Sequence, residues 1–301
     1  MSPYMLLAFT APHAMSDGGT RGHRHAVLCS VTVSSPSATL TVWAASWLAG
    51  DSAPDDVIDA LQQWAPMHLV GAADAETALA TDLGWPGVQD GGAPILLRLV
   101  RRSIANPGGL RLVLPAPGDV RGLPAGSPFA RAALDAGEGV IVGEPGQPGI
   151  GLVPVVEGPD VLRWTVHSIA AVPPVAEHTG LGEAEYAMRE AIRDAADALL
   201  QLSSVQTGRA DGDPRRRIAE ALDDRAHHRY PDSMPTRALR ILDSSDQVAA
   251  ILSVAEHDSP TEAPSATGAA AREELLRPLW SAVRTARVAA VSASARDAHR
   301  A

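Results

Sequence analysis

The stretch GLVPVVEGPDVLRWTVHSI, residues Gly151–Ile169, contains two apolar runs separated by the polar segment Glu157–Asp160. Apolar, β-branched residues on both sides of a short segment with Gly and Pro are typical of a β-hairpin. We therefore predict antiparallel strands at Gly151–Val156 and Val161–Ile169. This hairpin makes an antiparallel or mixed sheet the framework of this part of the chain.

Further strands are predicted on the N-terminal side of the hairpin. The apolar or β-branched runs there are His25–Val33, Ala38–Trp47, Met67–Val70, Ile95–Arg101, Leu110–Leu114 and Gly139–Val142. The segment Ser34–Ser37 predicts a turn between the first two runs. Helix-start signals are fewer. Helices are predicted from Pro54 to about Trp64, from Asp74 to Gly84, and for a short distance after Ser127-Pro128.

Helical spacing dominates after Pro173-Pro174. Apolar residues there recur at steps of three and four, which is the pattern of an amphipathic helix. Four helices are predicted: around the stripe Met188–Leu202, from Asp213-Pro214 to about His228, around Ile241–Ala255, and around Leu276–Ala290. Pro278 is expected to kink the last helix or to mark its start.

These patterns predict an α+β protein. Its N-terminal half has a mixed or antiparallel sheet with a few helices, and its C-terminal half has helices only. We expect a disordered N-terminus at 1–24, a sheet domain at 25–172, and a helical domain or extension at 173–301 with a mobile loop at 258–268. Met15 is an alternative start of the chain, because residues 16–24 are polar.

The composition excludes several classes of enzyme. The 301 residues include no lysine, so all 25 basic residues are arginine, and Asn106 is the only asparagine. This bias is typical of a high-GC genome. Without lysine, Schiff-base and pyridoxal-phosphate chemistry, the P-loop and the protein-kinase site are all excluded.

No cofactor or metal site is predicted. Cys29 is the only cysteine, which excludes an intrachain disulfide and a zinc site of the CxxC type. Its apolar surroundings are typical of a buried thiol rather than a reactive one. His23 and His25 point the same way in an extended segment but lack an evident third ligand, and His227-His228 suit the C-terminus of a helix.

The charge and hydropathy of the chain limit its partners and its location. The net charge is −10, so nucleic acid and anionic membranes are not expected partners. No apolar run approaches the ~20 residues of a membrane-spanning helix, and no basic residue precedes the short apolar N-terminus, so we expect a cytoplasmic protein. The last predicted helix carries Arg277, Arg284, Arg287, Arg296 and Arg300, which is typical of a solvated face or of a surface for an acidic partner or RNA.

The segment Pro115–Pro124 is the first candidate site. Its Pro and Gly residues impose an irregular backbone, and Asp119 and Arg121 project charge from a loop between sheet elements. Loops on rigid scaffolds often bind ligands. The alternative is purely local: Asp119 forms an Asx-type turn and Arg121 pairs with a neighbour.

The strand Val161–Ile169 carries the second candidate site. Alternation along a strand places Arg163, Thr165 and His167 on one face, opposite Trp164 and Val166. His167 is a candidate general base and Arg163 a candidate ligand contact on the wall of a cleft. The alternative is a polar strand face that simply meets solvent.

Several segments together resemble a family of actinobacterial proteins of unknown function. They are Leu110–Pro115, Pro117–Pro124, Arg163–Val166, Leu276–Leu279 and Ala282–Arg284. The resemblance spans most of the chain after Met15. It implies a high-GC source and gives no activity, cofactor or catalytic residue to carry over.

Two hypotheses of function remain open. The first is a binding, adaptor or regulatory protein whose C-terminal helices offer apolar stripes to a protein partner or to a second copy of the chain. The alternative is a small-molecule enzyme at the 115–124 loop, with Asp119 and His167 as acid–base groups and Arg121 as an anion clamp.

Overall fold

The computed structural model describes residues 35–87, 89–104, 107–175, 179–203, 214–223, 228–257 and 266–300. Several predictions concern residues outside these ranges: the N-terminus at 1–24, the strand His25–Val33, the histidines His23 and His25, and Cys29. Residues 258–265 of the predicted mobile loop also lie outside, and its last three residues belong to a helix.

Six strands form one sheet in the part of the chain that the structure describes. They are β1 Met67–Ala72, β2 Gln89–Asp90, β3 Leu110–Val113, β4 Gly139–Val142, β5 Gly149–Val156 and β6 Val161–Ile169. Their order is β2-β1-β6-β5-β4-β3. The strands β3 to β6 are antiparallel neighbours, β1 runs parallel to β6, and β2 is antiparallel to β1. The sheet is therefore mixed, and the α+β prediction is confirmed.

The described α-helices are α1 Pro36–Ala49, α2 Pro54–Gln62, α3 Ala75–Thr81, α4 Gly92–Ser103, α5 Pro128–Ala136, α6 Leu181–Ser203, α7 Pro214–Asp223, α8 Thr236–His257 and α9 Ala266–Arg300. Helices α1 to α5 are interspersed with the strands along the chain, and α6 to α9 form the C-terminal half. No strand of the sheet follows Ile169 among the residues described. Pro278 lies inside α9, which begins twelve residues earlier, so this proline does not mark the start of the helix.

Local signals placed most of the strands and helix starts correctly. The hairpin at Glu157–Asp160 is present, and the Glu157 N–H donates to the Val161 carbonyl at 2.8 Å. Asp74 caps α3 by accepting a hydrogen bond from the Thr77 N–H at 2.7 Å. These interactions join residues only a few positions apart, so the sequence pattern is sufficient to predict them.

Two predicted strands are helices. Ala38–Trp47 lies within α1, and Ile95–Arg101 lies within α4. The turn predicted at Ser34–Ser37 is also wrong. Residues 36 and 37 begin α1, and Ser35 caps the helix by accepting a hydrogen bond from the Ala38 N–H at 3.0 Å. Helix α1 is buried around most of its circumference, so it lacks the polar face that gives a helical periodicity to the sequence.

Helix α1 lies at the centre of the molecule. Its residues Leu40 and Ala44 belong to the core with Leu152 and Trp164 of the sheet. On another side, Val42 belongs to a second cluster with Leu112 of β3 and with Ala286 and other residues of the C-terminal half. The helix therefore packs against both halves of the chain.

The segment before α8 adds polar contacts between the halves. The Trp43 indole N–H donates to the Arg229 carbonyl at 2.9 Å. The Trp64 ring stacks on the His228 ring with their centroids 3.8 Å apart.

Among the described helices, none combines the length and apolarity that a membrane crossing requires.

A buried carboxylate supports the start of α1. One oxygen of Glu138, a residue that is 7% exposed, accepts a hydrogen bond from the Ser37 N–H at 2.9 Å. This N–H belongs to the first turn of α1, where backbone donors have no partner within the helix. Burial raises the pKa of Glu138, while its hydrogen bonds with Ser37 and Ser35 and the charge of Arg287 oppose that rise.

We expect Glu138→Ala to lower the free energy of unfolding by about 1–3 kcal/mol, because it leaves a buried N–H without an acceptor. Glu138→Gln retains an acceptor oxygen and is expected to lose less. Urea denaturation of the two variants and the wild type at pH 6 measures the difference. Equal losses in both variants would show that the hydrogen bond from the Ser37 N–H to the side-chain oxygen at position 138 does not stabilise α1.

The same pair of variants predicts a pH dependence. Folding raises the pKa of Glu138, so the folded state binds the proton of this carboxyl group more tightly than the unfolded state does. The resulting contribution to the stability of the wild type is complete below the ordinary pKa of 4.5 and is lost as the pH rises through the raised pKa. Glu138→Gln lacks this titration. We expect the stability of the variant relative to the wild type to increase between pH 4.5 and pH 7.5, as measured by urea denaturation across that range.

Candidate functional site

The 115–124 loop has a defined backbone at its tip. Ala116 and Asp119 exchange two backbone hydrogen bonds, with the Asp119 N–H at 2.8 Å and the Ala116 N–H at 2.9 Å from the partner carbonyl. Pro117 and Gly118 lie between them, and Gly118 has a φ of +83°. Proline followed by a glycine of positive φ is the signature of a type II turn. The turn therefore holds Asp119 in one place.

Asp119 and Arg121 form a two-pronged ion pair. The Arg121 Nε and Nη2 atoms each lie 2.8 Å from an Asp119 carboxylate oxygen. The hydrogen bond from Arg121 is the main cause that lowers the pKa of Asp119, and burial opposes it. The prediction that Arg121 pairs locally is thus confirmed, and Asp119 is a carboxylate rather than a proton donor near neutral pH.

Helix α9 brings a further arginine to this pair. The Arg284 Nη2 atom lies 3.9 Å from an Asp119 oxygen, and the Arg284 side chain is 7% exposed. Arg287 is buried as well and pairs with Asp246 at 2.5 Å. The interpretation of a solvated arginine face on the last helix is therefore wrong at Arg284 and Arg287.

A cavity of about 200 Å³ lies between strand β3 and helix α9. Strand β3 is the last strand of the sheet, with only β4 beside it. From α9 the cavity is lined by Arg284, Val288, Ser292 and Arg296, which follow one another at steps of four. That spacing places the four side chains on one face of the helix.

The sheet side of the cavity carries another arginine, Arg111 of β3. Its Nη1 atom donates to the Pro174 carbonyl at 3.3 Å. Its Nε and Nη2 atoms are buried and have no hydrogen-bond partner among the described residues, and the same holds for the Arg284 Nε atom. Burial lowers the pKa of both arginines, although Glu144 opposes this effect at Arg111 and Asp119 opposes it at Arg284. The cavity therefore brings together buried donors that the described residues do not satisfy.

The other two predicted site residues lie outside this cavity. Arg163 pairs with Glu157 through two contacts of 2.6 and 2.9 Å beside the hairpin. His167 is 6% exposed and lies near the Phe129 ring of α5, with their centroids 6.1 Å apart. Burial lowers the pKa of His167, and the Asp74 carboxylate opposes that shift. The structure thus brings together Asp119 and Arg121 but adds neither Arg163 nor His167 to them.

The strand that carries His167 follows the predicted alternation only in part. Trp164 and Val166 are fully buried on one face, as expected. The face with His167 is covered at that position rather than open to solvent. Among the described residues, no group of three or more His, Cys, Asp or Glu side chains is placed to hold a metal ion.

Sequence reasoning missed Arg111 as a site residue. The only signal was an arginine between Leu110 and Leu112 in a short apolar run directly before the 115–124 loop. It also missed His68, which is buried in the core. The Trp164 indole N–H donates to His68 Nδ1 at 3.1 Å, and His68 Nε2 lies 3.0 Å from the Leu61 carbonyl. Both ring nitrogens of His68 are therefore occupied by structural contacts.

Two family descriptions match the chain. Residues 37–178 match Rv1486c-like protein, N-terminal domain, and residues 182–288 match Rv1486c-like protein, C-terminal domain. Uncharacterized protein Rv1486c of Mycobacterium tuberculosis strain H37Rv is 43% identical over 281 residues, which is 86% of this chain and 96% of that protein. Uncharacterized protein ML1804 of Mycobacterium leprae is 40% identical over 290 residues, with the same coverage. No solved structure matches the chain. The predicted resemblance to an actinobacterial family of unknown function is confirmed.

The unsatisfied donors of Arg111 predict an unusual response to substitution. We expect Arg111→Met to leave the free energy of unfolding unchanged or to raise it by about 1 kcal/mol, because it removes a half-buried guanidinium group with two buried, unsatisfied nitrogen atoms. Arg287→Met is the comparison, because it breaks the buried ion pair with Asp246 and is expected to cost about 3 kcal/mol. Urea denaturation compares the two, and an equal loss in both would contradict a ligand-binding role for Arg111.

Proposed function

We propose that this chain, which belongs to the Rv1486c-like family, binds a small organic anion in the cavity between β3 and α9. Buried guanidinium N–H groups of Arg111 and Arg284 line a single cavity without an acceptor from the described residues. Buried donors of this kind are costly unless a partner satisfies them, and a carboxylate or sulfate oxygen is a strong partner for arginine.

The charge of the cavity supports an anionic ligand. Four arginines line it, namely Arg111, Arg121, Arg284 and Arg296, with Asp119 as the one carboxylate among the described lining residues. The chain as a whole has a net charge of −10. A local excess of positive charge in an acidic protein concentrates anions at that place.

The remaining walls of the cavity support an apolar body on the ligand. Val113 and Leu114 line it from the sheet side, and Val288 and Ala289 line it from α9. Ligand sites are commonly apolar with a few polar groups that orient the ligand. A volume of about 200 Å³ suits a small molecule rather than a large cofactor.

Binding fits this geometry better than acid–base chemistry does. Arg121 keeps Asp119 in its charged form, and His167 does not line the cavity. The two groups of the enzyme hypothesis therefore have no shared surface for one substrate, whereas a pair of guanidinium groups is sufficient to hold an anion.

A protein partner or a second copy of the chain, bound through the C-terminal helices, is a second candidate. Tyr186 and Ile192 of α6 and Ile251 of α8 are exposed apolar side chains. Met188, in contrast, is buried among neighbours within the chain and is not available to a partner.

If this candidate is correct, light scattering will show a mass above that of one chain, and Ile192→Asp will reduce that mass. A single-chain mass at all concentrations would contradict self-association.

Calorimetric titration tests anion binding. Hexanoate and hexyl sulfate are suitable probes, and 1-hexanol, with the same chain and no charge, is the ligand control. We expect both anions to bind more tightly than the alcohol, and Arg111→Gln and Arg284→Gln to weaken anion binding about tenfold, because each removes charge-assisted hydrogen bonds.

The matched protein control is Arg237→Gln. Arg237 also pairs with a carboxylate, that of Glu185 at 3.1 Å, but it does not line the cavity. We expect this variant to bind the anions as the wild type does. Equal weakening by Arg237→Gln would show a general charge effect, and anions that bind no better than 1-hexanol would overturn the proposal.

A further inference from the structure

We infer that Asp119 limits the ligand of the cavity to a single negative charge. The inference rests on the proposed function, since it concerns the charge that the same site accepts. Both oxygens of Asp119 are held by Arg121, and one of them also lies 3.9 Å from Arg284. The protein thus places an anion of its own beside the arginine that faces the ligand.

The charges around Arg284 are partly offset by carboxylates of the protein itself. Arg121 is neutralised at contact distance by Asp119. Arg111 has the Glu144 carboxylate close enough to favour its charged form. Asp119 and, more weakly, Glu144 therefore offset part of the positive charge of the three guanidinium groups, and Asp119 is the carboxylate that lies next to Arg284. Arg296 adds little at this end, because twelve residues of helix separate it from Arg284, about 18 Å along the axis.

The loop holds Asp119 in this position. The turn at Pro117-Gly118 fixes its backbone on one side. On the other side, Arg121 Nη2 lies 3.4 Å from the Thr285 hydroxyl of α9, which attaches the ion pair to the helix. Since Asp119 is held at both its backbone and its side chain, a ligand group bound by Arg284 lies near a fixed carboxylate, which is 3.9 Å from Arg284 Nη2. A second negative charge on that group is repelled.

Two ligands of the same shape isolate this effect. Hexyl sulfate carries one negative charge, and hexyl phosphate carries close to two at pH 8, because its second pKa is near 6. Both have a tetrahedral head and the same chain. We expect the wild type to bind hexyl sulfate more tightly than hexyl phosphate, as measured by calorimetric titration at pH 8.

Asp119→Asn removes the charge and retains an oxygen that accepts a hydrogen bond from Arg121. We expect it to increase the affinity for hexyl phosphate about tenfold and that for hexyl sulfate by a smaller factor, so that the preference shifts toward the dianion. Glu157→Gln is the matched control, because Glu157 forms the same two-pronged pair with Arg163 outside the cavity. This control is expected to leave the preference unchanged.

Arg121→Gln provides a second test that does not depend on the folding of Asp119→Asn. The Arg121 side chain is 65% exposed, and its loss leaves the negative charge of Asp119 without its main positive partner. We expect a stronger preference for hexyl sulfate, the opposite of the shift caused by Asp119→Asn. A wild-type preference for hexyl phosphate, or an unchanged preference in both variants, would overturn the inference while anion binding still held. If neither anion binds the wild type or the variants, the proposed function itself fails.

Discussion

A buried guanidinium group determines how the C-terminal helices sit against the sheet. Arg287 of α9 is 4% exposed and pairs with Asp246 of α8 at 2.5 Å. The carboxyl group of Glu138, which precedes β4, also favours the charged form of Arg287, against the effect of burial. An unpaired buried charge is costly, so the ion pair favours the rotation of α9 that brings Arg287 to these groups. That rotation decides which face of α9 meets strand β3.

Small side chains make the same arrangement sterically acceptable. Ala286, Ala289 and Ala290 of α9 belong to one cluster with Val42 of α1 and Leu112 of β3. Alanine allows a helix to approach its neighbours closely, and close packing of many small groups replaces the few large aromatic contacts of other cores. With only 4% aromatic residues, the chain depends on such contacts. Beside these alanines, α9 also carries Arg284, Thr285 and Ser292, which line the cavity together with Val288 and Ala289.

The cavity lies at an edge of the sheet, beside the terminal strand β3. A terminal strand leaves backbone groups unpaired, and proteins usually cover or interrupt such an edge. Here α9 and the 115–124 loop lie against β3, and the space between them is lined by polar groups from both. The two matched family regions, 37–178 and 182–288, each supply part of this lining. The proposed site therefore exists only where both regions are present in one chain and packed together.

The amino-acid sequence by itself determined the features that depend on near neighbours. These include the β5–β6 hairpin, the caps at Asp74 and Ser127, and the local pairing of Arg121, which was one of two alternatives for the 115–124 loop. Each needs only residues a few positions apart, so a pattern of residue types is enough to predict it.

Only the tertiary structure decided the rest. Helices α1 and α4 were predicted as strands, because burial on nearly all sides of α1 removes the polar face and an apolar run of five to ten residues fits either structure. Arg111 and Arg284 lie far apart in the sequence, and nothing near either one shows that they line the same cavity. Whether an arginine is solvated, paired or directed into a cavity depends on which distant segments pack around it, and that is a property of the folded chain.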